Sequence, residues 1–197
     1  MHSTTKGLAI MRKLVYYAAV SLDGYIAGPD GEFDFYPMSD DMSWIRERYP
    51  ESIPTELRTQ IDMPADTPNQ AWDTVLMGRS TYQAGGMTSP YAHMKQYVFS
   101  HTLEPVDNPQ VEVVDTDPVD LVRTLKNQDG LDIWLCGGGN LAGQLVDEID
   151  QLMFKSYPVI AGGGISALSG NFRPTQFRVT ERREFDSGMQ LTWFDRA

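Results

Sequence analysis

The chain has 197 residues, 41% of them hydrophobic, which is enough for one domain with a substantial core and short for two. Its 16 basic and 27 acidic residues give a formal net charge of −11 without a basic cluster, so nucleic-acid binding is not expected. A single cysteine rules out an internal disulfide, and no run of about 18 apolar residues could span a membrane.

The start of the chain differs in character from the remainder. Residues 1–10 lack the long apolar centre of a signal peptide. We expect residues 1–11 to form a disordered arm and residues 12–197 to form one cytoplasmic domain. The three histidines, His2, His93 and His101, are not paired at metal-ligand spacing, so no metal site is predicted.

Strand-like and helix-like segments alternate along most of the chain. Apolar runs predict strands at residues 14–20, 73–78, 96–100, 111–114, 131–136 and 151–160. Helices are predicted at 44–48 after a cap at Ser39 or Asp40, near 55–61, from 79, at 118–127, and from 140 to about 150. Alternation of this kind is typical of an α/β fold with a mainly parallel sheet.

The end of the chain has another pattern. Residues 177–180 (FRVT) and 191–194 (LTWF) are strand-like, and Asp186-Ser187-Gly188 between them is a turn signal. We therefore expect an antiparallel C-terminal hairpin on the edge of the sheet.

Three consecutive glycines, Gly137 to Gly139, lie between the strand at 131–136 and the helix after it. Without Cβ atoms, the backbone N–H groups of such a loop can approach an anion closely. The sequence therefore predicts a phosphate-bearing ligand, with a tight strand-to-helix connection as the structural alternative.

Three segments, in this order and spacing, resemble a known family: residues 21–27 (SLDGYIA), 76–82 (LMGRSTY) and 133–141 (IWLCGGGNL). They are similar to the reductase domain of bifunctional riboflavin-biosynthesis deaminase-reductases and to its free-standing bacterial relatives. The second segment also resembles dihydrofolate reductase. The resemblance implies a dihydrofolate-reductase-like three-layer fold with helices on both faces, NADPH as cofactor, a pyrimidine-like or pterin-like substrate, and a possible homodimer.

The resemblance also implies which residues contact the cofactor. Arg79, Ser80 and Thr81 would bind the 2′-phosphate or the adjacent pyrophosphate, since a guanidinium with nearby hydroxyl and backbone donors suits a phosphomonoester. Ser100 and His101 would contact the adenosine side, and the glycine loop would receive the pyrophosphate. The complete cofactor set is Gly24, Gly78, Arg79, Ser80, Thr81, Ser100, His101, Thr102, Gly137, Gly138, Gly139, Asn140 and Leu141.

The substrate side is less specified. Asp23 ends the first strand and could bind substrate or ribose or relay a proton; alternatively it closes a turn. Asp34, Asp40 and Trp44 would wall the substrate pocket, although Trp44 fits a hydrophobic core equally well. The leading hypothesis is an NADPH-dependent oxidoreductase. The alternatives are an NADP-binding sensor or scaffold without turnover, and an α/β domain whose glycines only make turns.

Overall fold

The computed structural model describes residues 11–37, 39 and 41–197. The strands are β1 Leu14–Val20, β2 Tyr25–Ala27, β3 Trp72–Gly78, β4 Lys95–Phe99, β5 Val111–Val114, β6 Asp132–Gly137, β7 Gln151–Ser156, β8 Ile165–Ser166, β9 Phe177–Glu184 and β10 Gln190–Arg196. The helices are α1 Met42–Arg48, α2 Thr55–Arg58, α3 Arg79–Gln83, α4 Pro118–Lys126 and α5 Gly139–Gln144. None of the helices in these ranges is long and apolar enough to cross a membrane.

Eight strands form one sheet in the order β5-β4-β3-β6-β1-β7-β10-β9. The first six run parallel, and β10 pairs antiparallel with both β7 and β9. The mainly parallel sheet and the antiparallel C-terminal hairpin are thus confirmed. All six parallel strands end on one edge, here called the carboxyl edge, and begin on the opposite, amino edge.

Side chains of β1 point alternately to two hydrophobic clusters, one on each face of the sheet. Tyr16 belongs to a cluster with α4 and α5, and Tyr17 belongs to a cluster with Ile45 of α1. Because both faces are covered, the parallel strands are almost continuously apolar, as residues 14–20 are. Helices on both faces are therefore confirmed.

A second sheet of two short strands, β2 and β8, was not anticipated from the sequence. Three and two residues are too few to give a periodic signal. The Tyr16 hydroxyl donates a hydrogen bond to the Ala167 carbonyl at 2.7 Å, which fastens this small sheet to the main one.

Three predicted boundaries are corrected. The helix after the glycines ends at Gln144 rather than near residue 150, because the chain turns at Leu145 and brings the Asp150 carboxylate to the Leu14 N–H at 2.7 Å. Strand β7 ends at Ser156, two residues before Pro158. Helix α1 begins at Met42 after Asp41 without a side-chain cap. Of the two predicted caps, Asp40 lies outside the described residues.

Candidate functional site

A cavity of about 820 Å³ opens along the carboxyl edge, where the ends of β1, β3, β4, β6 and β7 meet. This is the edge at which open α/β sheets generally bind ligands. Polar residues of the βα connections line one half, here called the outer half. Aromatic and aliphatic side chains line the other, here called the inner half.

The outer half is built by two helix starts. Helix α3 begins at Arg79 directly after β3, and α5 begins at Gly139 directly after β6. The two connections are close together: a Cβ atom built on Gly78 would lie 3.6 Å from the Gly138 nitrogen. Glycine at both positions therefore lets neighbouring loops converge on the same part of the cavity.

Arg79 is exposed and held in place by two hydrogen bonds. Its Nη1 donates to Thr102 Oγ1 at 2.6 Å, and its Nε donates to Gln83 Oε1 at 3.1 Å. Among the described residues no carboxylate pairs with this guanidinium. Its positive charge is thus available to an anionic group at the mouth of the cavity.

The β4 end supplies a second polar wall. Ser100 Oγ accepts hydrogen bonds from the Leu103 N–H at 2.9 Å and the Thr102 N–H at 3.2 Å. These bonds use the oxygen as an acceptor and leave its O–H as a donor toward the cavity. His101 beside it is exposed.

The three consecutive glycines differ in what surrounds them. A Cβ atom on Gly138 would meet Thr81 Oγ1 at 3.4 Å, an ordinary contact, whereas one on Gly139 would lie 1.9 Å from the Ser166 carbonyl oxygen. Gly137 has a φ of +132° and precedes a cis peptide bond. Gly138 thus faces the cavity, and Gly139 permits close packing of α5 against β8.

Ten of the residues predicted to contact a cofactor line this one cavity. They are Gly78, Arg79, Ser80, Thr81, Ser100, His101, Gly138, Gly139, Asn140 and Leu141. Thr102, which accepts the Arg79 hydrogen bond, and Gly137, which precedes Gly138, are not in the lining. Gly24, with a φ of +85°, lies in the turn before β2, outside the lining. Sequence reasoning missed three further outer-half residues: Thr116, Pro118 and Gln144.

Asp23 lies outside the lining and fastens two loops. Its carboxylate accepts hydrogen bonds from Ser21 Oγ at 2.6 Å and from the Ala161 and Gly162 N–H groups at 3.0 and 2.7 Å. These bonds, that from Ser21 first, lower its pKa to about 2. Asp23 therefore has no proton to donate near neutral pH, and its geometry matches the turn-closing alternative.

The other predicted substrate residues are also not brought to the cavity lining. Asp34 is exposed on the loop after β2. Trp44 packs against Phe185 and Trp193, with ring centroids 5.8 and 6.3 Å apart, in the cluster on the α1 face. This is the core position considered as its alternative. Asp40 lies outside the residues that the structure describes.

The inner half contains a cation that sequence reasoning missed. Lys155 lies near the end of β7, and its Nζ is 4.7 Å from the centroid of the Tyr17 ring. Partial removal from water lowers the Lys155 pKa to about 8. A lone lysine near the carboxyl end of an otherwise apolar strand is the sequence signal that could have identified it.

The groups around Lys155 are weak acids that stay protonated at neutral pH. Burial raises the pKa of Cys136 to about 12 and raises the pKa of Tyr17 and Tyr91 well above the usual value for tyrosine. In the ranges that the structure covers, no cluster of three or more His, Cys, Asp or Glu side chains could hold a metal ion.

Comparison with known proteins connects this geometry to a family. The family model described as the RibD C-terminal domain matches residues 12–191. The chain belongs to this family. The RibD C-terminal domain match covers all the strands above except the end of β10, and therefore every strand that contributes to the cavity.

Two relatives of this RibD C-terminal domain protein illustrate the range of similarity. The Bacillus subtilis (strain 168) protein YwjB is 30% identical over 185 residues, covering 91% of this chain and 96% of YwjB. A Shewanella sp. PV-4 crystal structure, provisionally named as a riboflavin biosynthesis protein, aligns with a TM-score of 0.68 and 22% identity, covering 94% of this chain and 99% of its own.

A longer structure shows the same fold within a bifunctional protein. A Thermotoga maritima diaminohydroxyphosphoribosylaminopyrimidine deaminase / 5-amino-6-(5-phosphoribosylamino)uracil reductase aligns with a TM-score of 0.64 and 18% identity. The alignment covers 95% of this chain and 57% of that one. The sheet order, the hairpin and these alignments establish the dihydrofolate-reductase-like fold.

Proposed function

We propose that this protein is an NADPH-dependent oxidoreductase that transfers a hydride to a small heterocyclic substrate of pyrimidine-like or pterin-like shape. The observation that carries the proposal is the single cavity in which an outer half of phosphate-binding character adjoins an inner half of aromatic character. Membership of the RibD C-terminal domain family supports it, as does the reductase activity in the name of the Thermotoga structure.

The outer half fits a dinucleotide phosphate. Arg79 presents a guanidinium that forms no salt bridge within the described residues, with Ser80 and Thr81 next to it in the first turn of α3. Gly138 lines the cavity without a Cβ atom, which would give a diphosphate access to the backbone. These residues would hold the 2′-phosphate and the diphosphate of NADPH, and a few local donors of this kind are needed because the chain as a whole is acidic.

Bound NADPH would supply the hydride, and the chain supplies orientation and exclusion of water. The inner wall includes Tyr17, Tyr91 and Trp134, whose aromatic surfaces favour a planar substrate and displace water from its faces. Holding both reactants in one cavity lowers the entropic cost of the reaction.

A second function, NADP binding without turnover, is favoured by one observation. Asp23, the carboxylate predicted to relay a proton, lies outside the cavity lining and accepts three hydrogen bonds. Consumption of NADPH with a panel of pyrimidines, pterins and quinones separates the two functions. Turnover with any of them favours the reductase, and NADPH binding without turnover favours the sensor or scaffold.

Arg79→Ala tests the cofactor assignment. A charged hydrogen bond contributes about 1.5–3 kcal/mol, so NADPH should bind roughly 10- to 100-fold more weakly, as measured by fluorescence titration. NADH, which lacks the 2′-phosphate, should be affected much less. Arg182→Ala, an exposed arginine on β9 remote from the cavity, is the matched control. Equal losses of both cofactors would argue against the 2′-phosphate assignment.

The possible homodimer implied by the resemblance and the cytoplasmic location expected from the sequence are also part of this proposal. Size-exclusion chromatography with light scattering measures the mass directly, and a monomer at micromolar concentration would remove the dimer from the proposal while leaving the cofactor site intact.

A further inference from the structure

Among the polar groups of the inner half that take no part in the cofactor site are the Lys155 ammonium group and the Tyr17 hydroxyl. We propose that they form a subsite for the carbonyl or carboxylate oxygen of a planar, largely apolar ligand. This inference rests on the proposed function insofar as the subsite would hold the hydride acceptor, and it narrows the proposed heterocycles to those that present a ring carbonyl.

The position of Lys155 is set by strand pairing. Residue 155 of β7 lies opposite Ala19 of β1 and Leu191 of β10, on the same face of the sheet as Tyr17. Its Nζ rests 4.7 Å from the Tyr17 ring centroid. A cation–π contact compensates only part of the cost of removing an ammonium group from water.

Lys155 lacks the partner that partly buried cations normally have. In the described part of the chain, no carboxylate forms a salt bridge with it. By contrast, the buried Lys126 bonds the Asp150 carboxylate at 2.7 Å and the Glu148 carbonyl at 2.6 Å. A ligand oxygen at Lys155 would supply the missing acceptor.

The Tyr17 hydroxyl is the second donor. Tyr17 is 2% exposed, and its buried hydroxyl makes no hydrogen bond of good geometry among the residues described. The Ser52 hydroxyl lies near it but donates its own proton to the Tyr49 carbonyl at 2.8 Å. Leaving such a group unpaired in the interior is unfavourable, because its desolvation is not compensated. Tyr17 also lines the cavity, so an acceptor atom of a ligand in the inner half would remove this cost as well.

The rest of the inner wall limits what else the ligand can carry. Ile26, Phe33, Met42 and Trp134 contribute apolar surface, and the described lining includes no Asp or Glu. A ligand whose ring edge carries several amino groups would therefore have no carboxylate to accept its hydrogen bonds. A phosphate group would have only one cation, Lys155, to neutralise it. A flat ring system with one oxygen acceptor matches this wall best.

The pH dependence of ligand binding at the subsite should come from Lys155. The other titratable groups that line the inner half are Tyr17 from β1, Tyr36 from the loop after β2, Tyr91 from the segment before β4 and Cys136 from β6, and burial raises the pKa of each. The residue paired with it on β10 is Leu191, which does not titrate. Of these groups, only Lys155, with its pKa lowered to about 8, changes charge between pH 7 and pH 9.

The test compares 2-naphthoate with the neutral 2-naphthamide, using calorimetry on the full chain without NADPH. We expect naphthoate to bind more tightly than naphthamide at pH 7. Lys155→Met should weaken naphthoate roughly 10- to 100-fold, as expected for loss of a charged hydrogen bond, and change naphthamide less than about 2-fold. Lys13→Met, at an exposed lysine on the amino edge, is the matched control and should change neither.

Two further measurements give the test independent readouts. Tyr17→Phe, which removes only the hydroxyl, should weaken both ligands a few-fold, since each offers an oxygen acceptor. In the unmodified protein, naphthoate affinity should fall between pH 7 and pH 9 as Lys155 loses its proton, and in Lys155→Met this dependence should disappear. Lys155→Gln repeats the comparison if the Met variant does not fold.

The subsite is overturned if naphthoate has no advantage over naphthamide, if neither binds, or if the advantage survives loss of the lysine. A separate NADPH titration distinguishes this failure from that of the proposed function. A protein that binds NADPH but shows no preference for naphthoate refutes the subsite alone, and one with a Lys155-dependent preference but no NADPH binding refutes the reductase alone.

Discussion

Charged groups buried at the amino edge of the sheet have protein partners, whereas the partly buried Lys155 at the carboxyl edge faces the cavity. At the amino edge Arg12 forms a salt bridge with Asp73, and Lys126 forms one with Asp150. At the carboxyl edge, described residues give Lys155 no carboxylate. Partnered charges fix the ends of strands, and an unpartnered one at a cavity points to a ligand.

The segment between α1 and β3 shows the amino-edge arrangement most fully. Glu51 is completely buried, and its carboxylate accepts hydrogen bonds from three consecutive N–H groups: Gln70 at 3.2 Å, Ala71 at 2.7 Å and Trp72 at 2.9 Å. The equally buried Arg58 donates to backbone carbonyls of the same segment. An otherwise irregular stretch is thereby tied to the start of β3.

The largest effect on stability is expected when the Glu51 carboxylate is removed. Glu51→Ala leaves three N–H groups without an acceptor, so the free energy of unfolding should fall by about 3–5 kcal/mol in urea titrations at pH 7. Glu104→Ala, an exposed glutamate, should change it by less than about 0.5 kcal/mol. NADPH affinity of the folded Glu51 variant should be unchanged. A loss near zero would show that water replaces the carboxylate, and the contrast between the edges would weaken.

The success of sequence-based prediction depends on the range of the interactions involved. The parallel strands were predictable because burial on both faces makes runs such as residues 14–20 continuously apolar. The outer half was predictable because its donors lie within short motifs, as Arg79 and Gly138 do. The second sheet could not be predicted, because β2 and β8, with three and two residues, are too short to show a periodic pattern of apolar side chains.

The inner half was missed for a different reason. The surroundings of Lys155 come from β1 and β6, more than a hundred residues and about twenty residues away along the chain, so no local pattern reveals them. Asp23 and Trp44 show the converse: each is a residue type suited to a site, but folding uses one to join loops and the other to fill a core. The type of a residue suggests which role it could play in a site, but its neighbours in the folded structure determine which role it has.

A second prediction concerns acid stability at the amino edge. His93 accepts a hydrogen bond at Nδ1 from the Thr55 hydroxyl at 2.7 Å and donates from Nε2 to the Glu51 carbonyl at 3.0 Å, so it fits as the neutral form. Burial lowers its pKa from 6.5 to about 4. The unfolded chain therefore binds the proton first, and this stabilisation is present above pH 6.5 and lost as pH falls toward 4.

His93→Gln measures that contribution. Between pH 7 and pH 4 the unmodified protein should lose about 2–3 kcal/mol more unfolding free energy than the variant, since a pKa difference of one unit corresponds to about 1.4 kcal/mol. Chemical denaturation at several pH values gives the difference directly. Identical pH profiles for the two proteins would mean that His93 titrates normally in the fold.

The third prediction separates neighbouring glycines. Gly139→Ala places a Cβ atom 1.9 Å from the Ser166 carbonyl oxygen, so α5 or β8 must move and stability should fall by about 1–3 kcal/mol.

Gly138→Val instead directs its methyl groups into the cavity, and should reduce NADPH affinity at least about 10-fold while the fold is retained. Thermal unfolding and NADPH titration on both variants check the pair; unchanged NADPH affinity in Gly138→Val would remove the glycine loop from the cofactor site.

The last prediction has the opposite sign and applies to the carboxyl edge. Because Lys155 has a folded pKa of about 8, below its usual 10.5, keeping it charged in the fold costs stability at pH 7. Lys155→Met should therefore raise the free energy of unfolding by about 1–3 kcal/mol at pH 7. This gain should shrink as pH rises from 8 through 10.5, because the folded lysine is then already neutral and the unfolded one is losing its proton. Urea titrations at pH 7 and pH 10 measure it.

Combined with the naphthoate experiment, this stability change decides what the lysine does. A variant that is more stable but has lost its preference for the carboxylate would show that the fold retains an unfavourable charge for the sake of a ligand. A variant that is less stable at pH 7 would show instead that the contact with Tyr17 outweighs desolvation. Lys155 would then be a structural residue like Lys126, and the contrast between the two edges would disappear.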